Sequence, residues 1–257
     1  KIVVIHDNLF WKYPKNYPSL WRNYFIKLIE LGLNRNAEIA TTSIYSEKGL
    51  KNIFNNITIT HIYQSSEGLY VGDKTNISKD YILHVGTFEK RKDLLTLVKA
   101  FKLLKDNTSS NLKLVLAGSK YINGKKYIYR EIKKYILKNN LVSSIIMPGY
   151  INKKQAFYYY NNAFCYVFPS IDEGFGIPLI EAMRAEIPVI CSDIEIFKEI
   201  GRNSVIYFKK QDYNDLYLKL KLICNDKKII ENIISVAKKR VDVFNQKNFI
   251  KGFEKLY

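Results

Sequence analysis

Short apolar runs rich in β-branched residues alternate along the chain with longer amphipathic segments. The apolar runs are Ile2–Ile5, Ile39–Thr42, Ile57–Tyr63, Tyr81–Val85, Leu112–Ala117, Ser144–Met147, Ala163–Phe168, Ile187–Cys191 and Ser204–Phe208. Their length and residue type predict strands. Between most of them lie helical periodicities, at Leu94–Leu104, Tyr127–Asn139, Lys153–Tyr160 and Leu179–Ala185. This alternation predicts βαβ units with right-handed crossovers and a parallel sheet with helices on both faces. From Leu216 onward the pattern is helical to the end. The polar stretch Gln64–Lys79, with two glycines and no period, reads as a linker. Six strand candidates follow it, enough for a complete doubly wound domain; only three precede it. The predicted division is a partial N-terminal domain with its linker over 1–78 and a full domain with C-terminal helices over 79–257.

Composition narrows the classes. The 257 residues are 47% hydrophobic and 25% charged, enough apolar material for a packed core and too much for a disordered chain. The net charge of +17, from 41 basic and 24 acidic residues, raises nucleic acid, an anionic membrane or a phosphorylated substrate as partners. No nucleic-acid motif is present, and 34 of the 41 cations are lysine where base recognition favours arginine, so nucleic acid is set aside. Coding bias toward lysine, displayed on solvated helix faces, competes as the origin of the charge. No apolar run reaches the ~18 residues of a membrane span, and the first residues lack a signal-peptide cleavage pattern. Cys165, Cys191 and Cys224 are far apart in apolar segments and read as buried, inert thiols of a reducing cytosol. A cytoplasmic protein is expected. The stretch Phe10–Phe25 mixes Trp and Tyr with Lys and Arg, a composition suited to a membrane interface. A helix packed on its own sheet is the preferred reading, and the basic helix near Lys125–Lys138 reads as solvated.

The segment 169–183, PSIDEGFGIPLIEAM, carries the most chemical information. A buried strand ends at Pro169, a glycine loop follows, and Pro178 suits a first helical turn. Strand, glycine loop and helix start together offer backbone N–H groups and a positive helix end to an anion, at the strand end where open α/β sheets bind ligands. Glycines also occur in such turns for geometry alone, and more often so. Two carboxylates eight positions apart, Glu173 and Glu181, sharpen the reading. Carboxylates accept paired hydrogen bonds from sugar hydroxyls, and a pair beside a phosphate cradle suggests a sugar nucleotide.

The nine residues 173–181, EGFGIPLIE, resemble the E-x7-E signature of retaining GT-B glycosyltransferases, most closely family 4, the glycosyl transferases group 1. The resemblance extends in family order through 82–93 (ILHVGTFEKRKD), Leu114–Gly118, Met147–Tyr150, Ile187–Asp193 and Glu199–Gly201, essentially Tyr81 to Tyr257. Val4–Asp7, Ala40–Ser43 and a helix beginning near Ser46 resemble the second half of the family's N-terminal domain. The implied fold is α/β of GT-B type, a doubly wound Rossmann-like C-terminal domain with a partial N-terminal Rossmann-like one. The first half of that N-terminal domain, with its glycine-rich loop, has no counterpart in these residues.

The resemblance also implies roles. Glu173 would contact the transferred sugar, with His6 near it. Gly174, Phe175, Gly176 and Ile177 would present backbone to the diphosphate and sugar. Glu181 would hold the ribose hydroxyls. Lys92, with Arg91 as its neighbour, would face the diphosphate, where a cation opposes charge that grows as the glycosidic bond breaks. Gly86 and Thr87 would belong to the phosphate loop, and Gly149, Tyr150 and Ile151 would line the base pocket. Two departures stand out: Thr87 replaces an arginine of some relatives, and Glu186 replaces the usual glycine before Pro188. The implied activity is retaining transfer of a sugar from a nucleotide-diphosphate donor to an acceptor alcohol in polysaccharide or glycoconjugate synthesis. No metal or other cofactor is called for, since the leaving phosphate itself helps deprotonate the acceptor. The acceptor would be a saccharide or a lipid-linked saccharide, with an inner-membrane surface, a partner chain or a homo-oligomer as further candidates. The competing reading is a nucleotide-sugar-binding module that needs a partner chain for catalysis. Nucleotide-sugar epimerases share the architecture but not the E-x7-E context.

Overall fold

A computed structural model describes residues 1–66, 80–120 and 127–256. The chain divides into two compact units. Unit 1 comprises Lys1–Glu67, Glu173–Gly176 and Val243–Tyr257; unit 2 comprises Gly68–Asp172 and Ile177–Asp242.

Unit 1 is built on three parallel strands, β1 (Ile2–Val4), β2 (Glu38–Thr41) and β3 (Ile59–His61), in that order across the sheet. Three helices connect them: the single turn α1 (Leu9–Lys12), α2 (Ser19–Leu33) and α3 (Ile44–Lys51). Ile5, Ile39, Leu50 and Ile59 form the core, joined by Val3, Trp11, Ile29 and Leu33. α2 meets the sheet through its last turns, where Gly32 lets Val3 approach closely. Its first turns leave Leu20, Trp21 and Tyr24 exposed, so the packing expected of the aromatic segment holds at one end only. α3 starts at Ile44, two residues before the sequence expectation, because the Ser43 hydroxyl accepts the Ser46 N–H and caps it.

Among its described residues, unit 2 holds six parallel strands: β4 (Tyr81–Val85), β5 (Lys113–Ala117), β6 (Ile145–Gly149), β7 (Cys165–Phe168), β8 (Val189–Ser192) and β9 (Ile206–Phe208). Their order is β6-β5-β4-β7-β8-β9. The chain winds outward from β4 in one direction, then returns to β7 and winds outward in the other. β4 and β7 therefore flank the topological switch point, where doubly wound sheets open a crevice at their carboxyl ends. The connecting helices are α4 (Leu94–Asn107), α5 (Tyr127–Lys138), α6 (Lys153–Asn162), α7 (Ile177–Arg184) and α8 (Glu195–Gly201), followed by α9 (Tyr213–Asn225) and α10 (Lys227–Val241). The core runs through Ile82, Leu97, Phe101, Leu114, Leu116, Val167 and Ile190, all fully buried. β6 includes Pro148, tolerated because β6 is an edge strand.

The sequence division at residue 78 differs from these units at the first boundary, which falls after Glu67, and in two further places. The last helix, α11 (Gln246–Glu254), and the loop Glu173–Gly176 both belong to unit 1. Aromatic packing accounts for it: Phe175 and Phe244 lie 6.1 and 5.6 Å from the Tyr63 ring and 5.9 Å from each other. Ile62 also packs onto Gly252 of α11. The expected linker begins ordered, with the Ser66 N–H donating to the Phe244 carbonyl at 3.2 Å; its remainder, 67–79, lies outside the described residues, as do 125 and 126 of the basic helix.

Cys165 and Cys191 are buried, as expected, but Cys224 is exposed. α9 turns Ile223 into the core, which points its neighbour outward. Glu186 adopts φ +55°, the left-handed conformation that favours glycine after a helix, and its carboxylate pairs with Lys238 at 3.0 Å. None of the described helices is long and apolar enough to cross a membrane.

Candidate nucleotide-sugar site

In unit 2, the carboxyl ends of adjacent strands close on one another through glycines. The Gly86 N–H donates to the Ala117 carbonyl at 2.8 Å, and the Gly118 N–H donates to the Gly149 carbonyl at 2.7 Å. Gly118 has φ +148°, and a Cβ there would lie 2.5 Å from the Gly86 carbonyl carbon and closer still to its oxygen. Gly149, at φ +87°, faces open space apart from the Lys120 side chain. The loops after β4, β5 and β6 thus approach one another at the backbone level. Gly118 does this without being one of the residues singled out for the site; the signal available was a glycine ending an apolar strand.

The loop after β4 leads into a short 3-10 turn, Lys90–Lys92. Lys92 is only 7% exposed, and its Nζ lies 4.9 Å from the centre of the Phe168 ring at the end of β7. Its stem runs beside Gly86, whose missing Cβ would meet Lys92 Cε at 3.6 Å. The Lys92 ammonium thus stands buried at the switch point over an aromatic face. Arg91 is arranged differently. Its Nε donates to Glu89 Oε2 at 2.7 Å, and Nη1 reaches the Asp172 carbonyl at 3.4 Å. The Thr87 hydroxyl donates to the other Glu89 oxygen at 2.6 Å. Glu89 therefore ties Thr87 to Arg91, and the Ile171 N–H donates to the Arg91 carbonyl at 2.8 Å. This network joins the loop after β4 to the residues after β7.

Glu181, in the second turn of α7, receives a hydrogen bond from the Tyr160 hydroxyl at 3.1 Å. Burial pushes its carboxyl above the ordinary range, and the Tyr160 bond opposes that shift. Ile177 and Pro178 form the amino-terminal turn of the same helix. Of the residues expected around the base, Ile151 is buried while Tyr150 is 80% exposed.

The other expected residues sit in unit 1. His6 follows β1 and is exposed; its Nδ1 meets the Gln64 amide nitrogen at 2.7 Å. With the amide as donor, Nδ1 accepts and the ring proton resides on Nε2. Its neighbour Asp7 lies against Gly174, where a Cβ would come 2.5 Å from Asp7 Oδ2. The Gly174 carbonyl accepts from two buried hydroxyls, Ser43 at 3.1 Å and Ser46 at 3.2 Å. Glu173 is 6% exposed, and Phe175 is anchored between Tyr63 and Phe244. The loop Glu173–Gly176 is thus fastened at its carbonyl and at its aromatic ring. Those fastenings leave the Glu173 carboxylate placed by a rigid neighbour.

Comparisons place this geometry among known proteins. The family model for glycosyl transferases group 1 matches residues 73–240. An O-antigen chain mannosyltransferase of Salmonella typhimurium is 28% identical over 215 residues, 82% of this chain and 57% of that protein. O-antigen chain mannosyltransferase B of Escherichia coli is 27% identical over 212 residues, 77% of this chain and 54% of that protein. The chain spans about half the length of these curated relatives. Among solved structures, sucrose-phosphate synthase from Thermosynechococcus elongatus has a TM-score of 0.80 at 24% identity, covering 100% of this chain and 66% of that one. A glycosyltransferase from Rickettsia africae has a TM-score of 0.78 at 17% identity, covering 100% and 69%. At these identities the structural likeness speaks for the GT-B fold alone. With the family match spanning most of its length, the chain belongs to the glycosyl transferases group 1.

Proposed function

We propose that this chain carries the donor-binding and catalytic residues of a retaining glycosyltransferase acting in polysaccharide or glycoconjugate synthesis. The observation that carries the reading is the switch point of unit 2. It gathers strand ends stripped of side chains at Gly86, Gly118 and Gly149 and a buried Lys92 in one crevice, with the hydrogen-bonded carboxylate Glu181 on the helix that follows β7. A diphosphate suits the first two features, and ribose hydroxyls suit the third. The mannosyltransferase relatives make nucleotide-activated mannose the first donor to try.

In the proposed reaction the bond from the sugar's anomeric carbon to the diphosphate oxygen breaks, and a bond to the acceptor oxygen forms on the same face. The acceptor proton passes to the leaving phosphate. Lys92, with Arg91 beside it, stabilises the growing charge on that phosphate; Glu173 holds the transferred sugar, and His6 contributes near it. Backbone of Gly86, Thr87 and 174–177 contacts the diphosphate and sugar, and Gly149, Tyr150 and Ile151 border the base. No metal is assigned a role.

The test supplies GDP- and UDP-sugars with saccharide and lipid-linked acceptors. It follows nucleotide release and reads the anomeric configuration of the product by NMR. Transfer with retention, abolished in both Glu173→Ala and Lys92→Ala, is expected. Near-normal transfer by both variants refutes the roles, and an inverted product refutes the mechanism. A second reading, a donor-binding module completed by a partner chain, is favoured by unit 2 holding its whole switch point by itself. Tight nucleotide-sugar binding with turnover only after the partner is added would establish it.

A further inference from the structure

We propose that His84, buried beneath the loop after β4, takes up a proton when the nucleotide sugar binds, so that the diphosphate is met by an imidazolium as well as by Lys92. The inference rests on reading the switch point as a diphosphate site, and it adds a proton-linked positioning residue to that site.

His84 stands on β4, one of the two strands that flank the switch point, and is fully buried. An ionisable ring at such a position needs a reason, since an apolar side chain packs there at lower cost. The Tyr166 ring lies 6.1 Å away with its plane 12° from parallel, and the Phe168 ring lies 6.1 Å away, tilted by 57°. Nδ1 is 3.0 Å from the Val167 carbonyl oxygen. A carbonyl only accepts, so Nδ1 carries a proton, and in the neutral ring Nε2 presents a lone pair. Nε2 is turned toward Gly86. A Cβ at Gly86 would lie 2.9 Å from His84 Nε2 and 3.6 Å from its Cε1, and Lys92 Cε lies 3.6 Å from the same point. The imidazole and the end of the Lys92 side chain therefore share the space that a side chain at position 86 would fill. Gly86 leaves no side chain of its own between the ring and the loop.

The two states of the ring suit different partners. In the free protein, burial and the Lys92 ammonium both oppose a second positive charge, and the neutral ring prevails. A diphosphate brings a negative charge on each phosphate into a crevice of low polarity. It repels the Nε2 lone pair and attracts an Nε2–H, so the balance reverses. The proton comes from solvent, and Nδ1 keeps its own proton for the Val167 carbonyl. Few other ionisable groups pack on the ring. Tyr166 of β7 directs its hydroxyl to the Val85 carbonyl at 3.3 Å, and the β5 residue paired with His84 is Leu116. Farther along the loop, Glu89 is taken up by Thr87 and Arg91. Glu181 on α7 acts in the opposite sense: burial raises its carboxyl, so accepting ribose hydroxyls as a carboxylate releases a proton.

Calorimetry in buffers of different ionisation heat, PIPES and Tris, counts the protons exchanged. The probes are GDP-mannose and UDP-glucose, whose phosphates stay ionised through the neutral range and so contribute no proton of their own. Wild type at neutral pH should take up about 0.5–1 proton on binding, and its affinity should fall by up to about tenfold per pH unit as pH rises through that range. His84→Asn keeps an amide N–H where Nδ1 donates and removes Nε2. It should bind about tenfold more weakly, with no uptake and a flat neutral-range profile. Binding by wild type without uptake, or uptake retained in His84→Asn, overturns the role of His84 and leaves the diphosphate site standing. No binding of either nucleotide sugar by wild type overturns that site and the inference with it. Should His84→Asn not fold cooperatively, nitrogen NMR of histidine-labelled wild type decides. Among the three histidines, the slowly exchanging ring should gain an Nε2 proton when the nucleotide sugar is added; a ring that stays neutral in the complex overturns the proposal.

Discussion

Replacing Gly118 by alanine probes the crowding of strand ends that shapes the phosphate loop. An alanine Cβ would sit 2.5 Å from the Gly86 carbonyl carbon and 3.2 Å from the Thr87 nitrogen. Carbon atoms in ordinary contact stand about 3.5–4.0 Å apart, so the loop after β4 must retreat by about 1 Å or β5 must yield. Overpacking of this kind costs about 1–3 kcal/mol. The backbone adds to it, because φ +148° is a glycine conformation and a side chain there costs about 1–3 kcal/mol. A total of about 4 kcal/mol follows. With a urea slope of about 2–3 kcal/mol per molar, the unfolding midpoint should fall by about 1.5 M. Gly149→Ala is the control: its φ of +87° carries strain, but the nearest atom, Lys120 Cε, is 3.8 Å away. That variant should lose only about 1–2 kcal/mol. Nucleoside diphosphate binding, measured without denaturant where Gly118→Ala is still folded, should weaken by about tenfold or more as Gly86 and Thr87 shift. A Gly118→Ala variant no less stable than Gly149→Ala, with unchanged nucleotide affinity, would refute the wedge.

Three further outcomes follow from the same geometry. Lys92→Met keeps the apolar stem and removes the ammonium, so turnover should fall by about 100-fold or more while the unfolding temperature holds, checked by steady-state kinetics. Ser46→Ala removes a buried donor from the Gly174 carbonyl and should cost about 1 kcal/mol, with faster amide exchange confined to 173–176; Ser43→Ala also uncaps α3 and should cost about 2 kcal/mol, with faster exchange in the first turn of α3 as well. Glu181 has its carboxyl raised by burial, so its contribution to stability is complete below the ordinary carboxylate range and is lost as pH rises through the raised value. Glu181→Gln should therefore unfold at a higher temperature than wild type at neutral pH, converging with it in acid, while nucleotide affinity drops; a lower neutral-pH midpoint would contradict this.

Local residue chemistry decided much of this protein. All nine apolar runs became strands, because β-branched runs bounded by polar turns have few other ways to bury themselves. Their alternation with helices left a doubly wound parallel sheet as the economical arrangement, and Glu173 and Glu181 stood out by their spacing about a glycine loop, whereas Lys92 stood out only through the family resemblance. Glu186 was legible as a departure, and the left-handed backbone it adopts explains why glycine is the natural occupant there. What the sequence withheld are the relations between residues far apart along it. Nothing local pairs Tyr160 with Glu181, sets Gly118 against Gly86, or brings Ser43 and Ser46 to the Gly174 carbonyl. The assignment of Glu173–Gly176 and of the final helix to unit 1 likewise depends on Tyr63, Phe175 and Phe244 finding one another. Propensity and periodicity act over a few residues, so they write the elements; which buried hydroxyl meets which carboxylate is settled only when close packing leaves each polar group a single partner.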